Sequence, residues 1–84
     1  MAKRYTLILS EEQADILGFA LSTARREQER DGRHHASKAK AARREHGAES
    51  KAQRLDEAAE GCRDRVRRLD ELAYLIDTCP VAEA

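Results

Sequence analysis

Between Gly32 and Arg44 the chain carries five basic side chains, Arg33, Lys38, Lys40, Arg43 and Arg44, together with His34 and His35 and no carboxylate. Guanidinium and ammonium groups at that density bind phosphates or carboxylates by charge and donated hydrogen bonds, without needing a pocket. The wider charge distribution runs the same way. Residues 25–54 hold ten Lys/Arg against five Asp/Glu, residues 55–84 hold four against eight, and the whole chain sums to a formal net charge of zero. A basic middle and an acidic final third either neutralise each other, within one chain or between copies, or leave the middle free for nucleic acid or an acidic protein surface. Arg33, Lys38, Lys40, Arg43 and Arg44 form the candidate polyanion- or acidic-partner-binding set.

The other groups capable of chemistry do not converge in sequence. His34 and His35 are adjacent, His46 stands apart, and Cys62 and Cys79 are distant from both and from each other. No pair has the close Cys-x-x-Cys or His-x₃-His spacing of a zinc site, so no metal and no cofactor is expected. Cys62 falls in an apolar row, where a thiol behaves as a small hydrophobe. In a chain without a secretory leader both cysteines are expected to stay reduced. On one straight helix their 17-residue separation is about 25 Å, too far for a disulfide unless the helix ends well before Cys79. The carboxylates Asp56, Glu57, Glu60, Asp64, Asp70 and Glu71 read as the solvated flank of a helix, several of them spaced to pair with Arg63, Arg67 and Arg68. There is no glycine-rich phosphate loop and no nucleophile motif, and a thin core leaves little room for a water-excluding pocket. No catalytic residue, enzyme activity or small-molecule substrate is expected.

Eighty-four residues make one domain. Leu, Ile, Val and Phe together number 14, and none of them lies between Ser22 and Arg54, where no apolar side chain exceeds alanine. Large apolar groups are thus confined to the two ends, and the expectation is that Tyr5–Leu21 packs on Leu55–Ile76 while the middle stays wet. So little core for so small a chain favours sharing it with a second copy. The start of the chain has no apolar run long enough for a signal peptide or a membrane span, which predicts a cytoplasmic protein with no membrane partner.

Local patterns divide the chain further. Residues 4–9 alternate, Tyr5, Leu7 and Leu9 on one side and Arg4, Thr6 and Ile8 on the other, which predicts a strand. No second strand is evident, so its backbone groups need the same strand of a second copy across a twofold axis, a partner's sheet edge, or an arm-like packing on the helices. Ser10 and Gln13 at capping-box spacing open a helix over 11–31, with Ile16, Leu17, Ala20, Leu21 and Ala24 as its apolar stripe and Phe19 off it. Asp31-Gly32 reads as its stop. Residues 32–47 form a basic connector whose Ala, Lys and Arg content favours helix but which lacks a broad apolar face. A long helix over 49–78 follows, capped by Ser50 and Gln53, with Leu55, Ala59, Cys62, Val66, Leu69, Ala73 and Ile76 at alternating four and three spacing, the pattern of a coiled-coil seam. Leu72 and Leu75 widen that face, and 79–84 is a tail. The fold expected is mainly α: a short N-terminal β-strand, then an antiparallel helical hairpin, paired as a homodimer through strands and helix faces. Tyr5, Leu7, Leu9, Phe19, Leu69 and Leu72 are the expected oligomer interface.

A strand followed at once by a capped helix, over about Lys3–Leu21, resembles the start of ribbon–helix–helix repressors. That resemblance implies a DNA-binding regulator reading the major groove with Arg4, Thr6 and Ile8. The second apolar stripe comes later here than in that family. The opening Tyr5-Thr6-Leu7-Ile8-Leu9-Ser10-Glu11-Glu12-Gln13-Ala14 also resembles the "Y-T-L-x-L-[ST]-x-E-x-A" beginning of short bacteriophage and prophage proteins. It implies a small accessory protein in the host cytoplasm that acts by binding a host protein or nucleoprotein complex, for example as an anti-CRISPR or other host-defence inhibitor. A purely structural dimerisation module is the third expectation.

Overall fold

The computed structural model describes residues 3–80, which form two long helices in an antiparallel hairpin: α1, Glu11–Ala42, and α2, Glu49–Thr78. The start of α1 follows its sequence signal. Gln13 N–H donates to Ser10 Oγ (3.1 Å) and Ser10 N–H donates to Gln13 Oε1 (2.9 Å), while Glu11 and Glu12 place negative charge on the helix N-terminus. The connection, residues 43–48, turns at Gly47, whose φ of +80° is open to glycine at low cost and strained for other residues. Ser50 and Gln53 do not form the expected cap. Ala48 occupies the N-cap position without a side-chain hydrogen bond, so Ser50 already lies inside α2.

Three expectations are corrected. The described residues contain no strand, so the short N-terminal β-strand and the pairing of strands across a twofold are overturned. Residues 4–9 alternate as a strand would, but the described residues offer no ladder partner, and Tyr5, Leu7 and Ile8 stand exposed. The expected stop at Asp31-Gly32 is also absent: α1 passes through both residues, and most of the connector is the second half of α1. The third correction concerns burial. The middle of the chain is not uniformly wet: its cations are exposed, but it supplies fully buried seam positions, for Ala39 and Ala52 are 0% exposed and Ala42 2%.

One cause underlies the last two corrections. Gly32 faces Cys62 so closely that a Cβ built on it would lie 3.2 Å from the Cys62 Cβ. A glycine inside a helix costs about 1 kcal/mol relative to alanine, yet here it lets two backbones approach, and close approach is how alanine side chains become fully buried. On α2 the buried or half-buried residues include Ala52, Leu55, Ala59, Cys62, Val66, Leu69, Ala73 and Ile76, which form an unbroken three-four repeat, with Asp56, Ala58, Gly61 and Asp64 half-buried beside it. On α1 they include Leu17, Leu21, Ala24, Gln28, Gly32, His35, Ala39 and Ala42, where two consecutive steps of four around Gln28 interrupt the repeat as a stutter does. Ile16 and Ala20, expected on the apolar stripe, turn outward with Phe19.

The resulting molecule is a rod, 64 × 30 × 14 Å, with a radius of gyration of 18.0 Å where a globular chain of this length has about 12 Å. Two hydrogen-bonded contacts hold its register on α2. Arg25 binds Asp70 (Nε–Oδ1 2.6 Å), and the Arg65 Nε–H donates to Gln28 Oε1 (2.8 Å). Nearer the turn, Arg43 binds Asp56.

Candidate interaction surfaces

The hairpin has two unlike ends. At the open end, where α1 begins and α2 stops, helix residues 11–24 and 69–78 contain Glu11, Glu12, Asp15, Asp70, Glu71 and Asp77 and no Lys or Arg. At the turn end, residues 33–54 hold seven Lys/Arg against Glu45 and Glu49. Neutrality of the whole chain conceals a separation of charge along the long axis.

Exposed large apolar side chains share this polarity. Among the described residues they are Tyr5, Leu7, Ile8, Ile16, Phe19, Leu72, Tyr74 and Leu75, and every one belongs to the open end or to the segment leading into it. Ile8 is 88% exposed and Phe19 71%. At about 100° per residue, Ile16 and Ala20 on α1 and Leu72 on α2 fall on one flank of the hairpin. Arg25–Asp70 and Arg43–Asp56 lie on the other. Of the six residues expected at an oligomer interface, Tyr5, Leu7, Phe19 and Leu72 are exposed, while Leu9 and Leu69 are half-buried. Leu69 is a seam residue between α1 and α2, and the structure does not bring all six into one patch. Ile8, Ile16, Tyr74 and Leu75 extend the exposed set. Leu75 announces itself in sequence by falling beside the α2 seam, whereas Ile16 reads as core until the seam is placed on Leu17 and Leu21.

The five expected basic residues are all exposed, but they differ in state. Arg43 is committed to Asp56, and that hydrogen bond lowers the Asp56 carboxyl below the usual carboxylate range and raises the Arg43 guanidinium. Arg33, Lys38, Lys40 and Arg44 have no carboxylate within ion-pair distance among the described residues. Arg25 is likewise raised, chiefly by its hydrogen bond to Asp70, and also binds Glu29. On the outer side of α2, Glu60 and Asp64 pair with Arg63, Arg67 and Arg68 within their own helix (2.9–3.9 Å), whereas Asp56 and Asp70 of the same flank bind Arg43 and Arg25 of α1 and its C-cap.

Histidines and cysteines remain apart. No three His, Cys, Asp or Glu side chains among the described residues are grouped to hold a metal ion. His35 sits on the α1 seam with its Nδ1 buried and without a hydrogen-bond partner, and Cys62 is a buried free thiol. No described helix is long and apolar enough to cross a membrane. No protein-family model matches the chain, and no curated protein or solved structure is significantly similar to it.

Proposed function

We propose that the chain is a non-enzymatic interaction module that docks a protein partner on its open end. The observation that carries this reading is the gathering of the exposed large apolar side chains among six carboxylates, with no basic residue on either helix there. Exposed apolar side chains interspersed with carboxylates complement an apolar surface that carries Lys and Arg. Surfaces of that kind bind nucleic acid, and a small protein covering one would act as an occluding inhibitor. This is the form in which the resemblance to phage-encoded accessory proteins, including anti-CRISPR and other anti-defence inhibitors, is best supported. A second copy suits the open end less well, because pairing two such ends brings together Glu11, Glu12, Asp15, Glu71 and Asp77 of each, none of them ion-paired among the described residues.

Calorimetric titration with a synthetic amphipathic helix of leucine and lysine tests the reading. The wild-type chain binds it, and a Phe19→Asp/Leu72→Asp variant of unchanged helix content does not. Equal binding by both overturns the assignment. Light scattering run beside it gives a monomer. A dimer that the same substitutions dissociate reassigns the face to a second copy.

A further inference from the structure

Continuity of α1 through Gly32 creates a feature that neither half of the helix shows alone. Arg26, Arg30, Arg33, Ser37 and Lys40, with Arg44 in the turn that follows, recur at alternating four and three spacing. At about 100° per residue they occupy an arc of roughly 80°, centred some 160° from the seam that faces α2. All six are exposed. The row contains no acid and no apolar side chain, and each member is a residue type that donates hydrogen bonds to phosphate oxygen. Its cations are also available. Among the described residues Arg26, Arg33, Lys40 and Arg44 meet no carboxylate, and Arg30 has only its neighbour Asp31 at 3.8 Å. Glu29, which borders the row, is held by Arg25.

We propose that this outward row of α1 is a binding ridge for the phosphate backbone of double-stranded nucleic acid, without regard to base sequence. From Arg26 to Arg44 the ridge runs about 27 Å at 1.5 Å per residue. Over that length a duplex presents one phosphate every 1.7 Å or so, and a helix of about 10–12 Å diameter can follow a major groove about 12 Å wide. Two alternatives fit less well. A single strand is held by stacking on aromatic rings, and the chain has no Phe, Tyr or Trp between residues 20 and 73. A membrane-surface helix needs an apolar face beside its basic one, and along the ridge, residues 26–42, α1 carries no apolar side chain larger than alanine. The ridge is independent of the open end, so the two assignments stand or fall separately.

Fluorescence anisotropy of a labelled random-sequence DNA duplex, titrated with the full chain over a series of salt concentrations, tests the proposal. Five phosphate contacts give a slope of log K against log salt of roughly −4.5. Arg26→Gln/Arg33→Gln/Lys40→Gln makes the slope shallower by about 3 and weakens binding by about two orders of magnitude at moderate salt. Arg63→Gln/Arg67→Gln/Arg68→Gln, which removes the same charge from the outer side of α2, leaves the slope within about 1 of wild type. The charge-conserving variant Arg26→Lys/Arg33→Lys keeps it as well, which separates loss of charge from loss of fold. The proposal is overturned by a wild-type chain that ignores the duplex at the lowest salt. It is equally overturned by ridge and α2 variants that behave alike, or by poly-glutamate competing as well as unlabelled duplex, which gives the ridge to an acidic protein.

Discussion

Alanine placed at Gly18 and at Gly32, one at a time, separates helix propensity from helix packing within one element. Both glycines lie inside α1, and in both the change to alanine gains about 1 kcal/mol of propensity. At Gly18 the new Cβ meets nothing within 4 Å, so the full gain appears, equivalent to a rise in Tm of about 4–8 °C for a chain of this size. At Gly32 the Cβ lies 3.2 Å from the Cys62 Cβ and 3.8 Å from the Ala59 carbonyl oxygen. Carbon atoms pack best at about 3.5–4.0 Å, and neither carbon can swing aside because both are fixed to backbone. The helices must therefore part by several tenths of an ångström where Ala39, Ala59 and Cys62 are most tightly buried, an overpacking that costs about 1–3 kcal/mol. Gly32→Ala is expected to be between neutral and about 2 kcal/mol less stable than wild type, and Gly18→Ala about 1 kcal/mol more stable. Their difference isolates the contact because propensity cancels. Urea unfolding followed by far-UV circular dichroism, at matched protein concentrations, reads it directly. Equal stabilisation by both substitutions refutes the close approach of α1 and α2 at Gly32, and with it the explanation for the unbroken helix.

Other expectations follow from single contacts. Ser10→Ala removes the capping box of α1 and lowers stability by about 1 kcal/mol, read as a fall in Tm, and an unchanged Tm means that α1 does not depend on this cap. Because the Arg43 hydrogen bond holds the Asp56 carboxyl below its ordinary value, the stability it contributes is complete above about pH 4 and is lost as pH falls through the lower folded value. Asp56→Asn therefore flattens the acid side of a plot of Tm against pH, and a slope matching wild type in that range counts against the bond. A water-soluble disulfide reagent modifies exposed Cys79 at once and buried Cys62 only as the hairpin opens, so Cys79→Ser abolishes the fast phase and two fast thiols would contradict the burial of Cys62.

What could be read in the residues depended on how far each signal reaches. The α2 seam was legible because Leu55, Ala59, Cys62, Val66 and Leu69 repeat locally, and two amphipathic stripes at the two ends of the chain, with a charged middle between them, already imply a hairpin. Asp31-Gly32 misled because a helix stop is judged from neighbours along the chain, whereas Gly32 is kept helical by Cys62, thirty residues away. Residues 4–9 misled for the converse reason: alternation describes a strand that has a partner, and the described residues contain none. Alanine was undervalued as core. Its small side chain signals little in a hydropathy pattern, yet Ala39 and Ala52 bury completely once backbones come close. The same assumed break separated Arg26 and Arg30 from Arg33, Lys40 and Arg44, so the cations were recognised singly while the line they form was not.

The antiparallel arrangement has an electrical consequence. The backbone dipoles of α1 and α2 oppose each other and largely cancel, which leaves the side chains to set the field of the molecule. With carboxylates at one end of a 64 Å rod and guanidinium and ammonium groups at the other, a chain of zero formal charge possesses a large permanent dipole moment. Such a molecule is retained by both cation- and anion-exchange surfaces at neutral pH. In dilute salt it turns end-on in the field of whatever it approaches, so the sign of that body selects which end arrives before any contact forms.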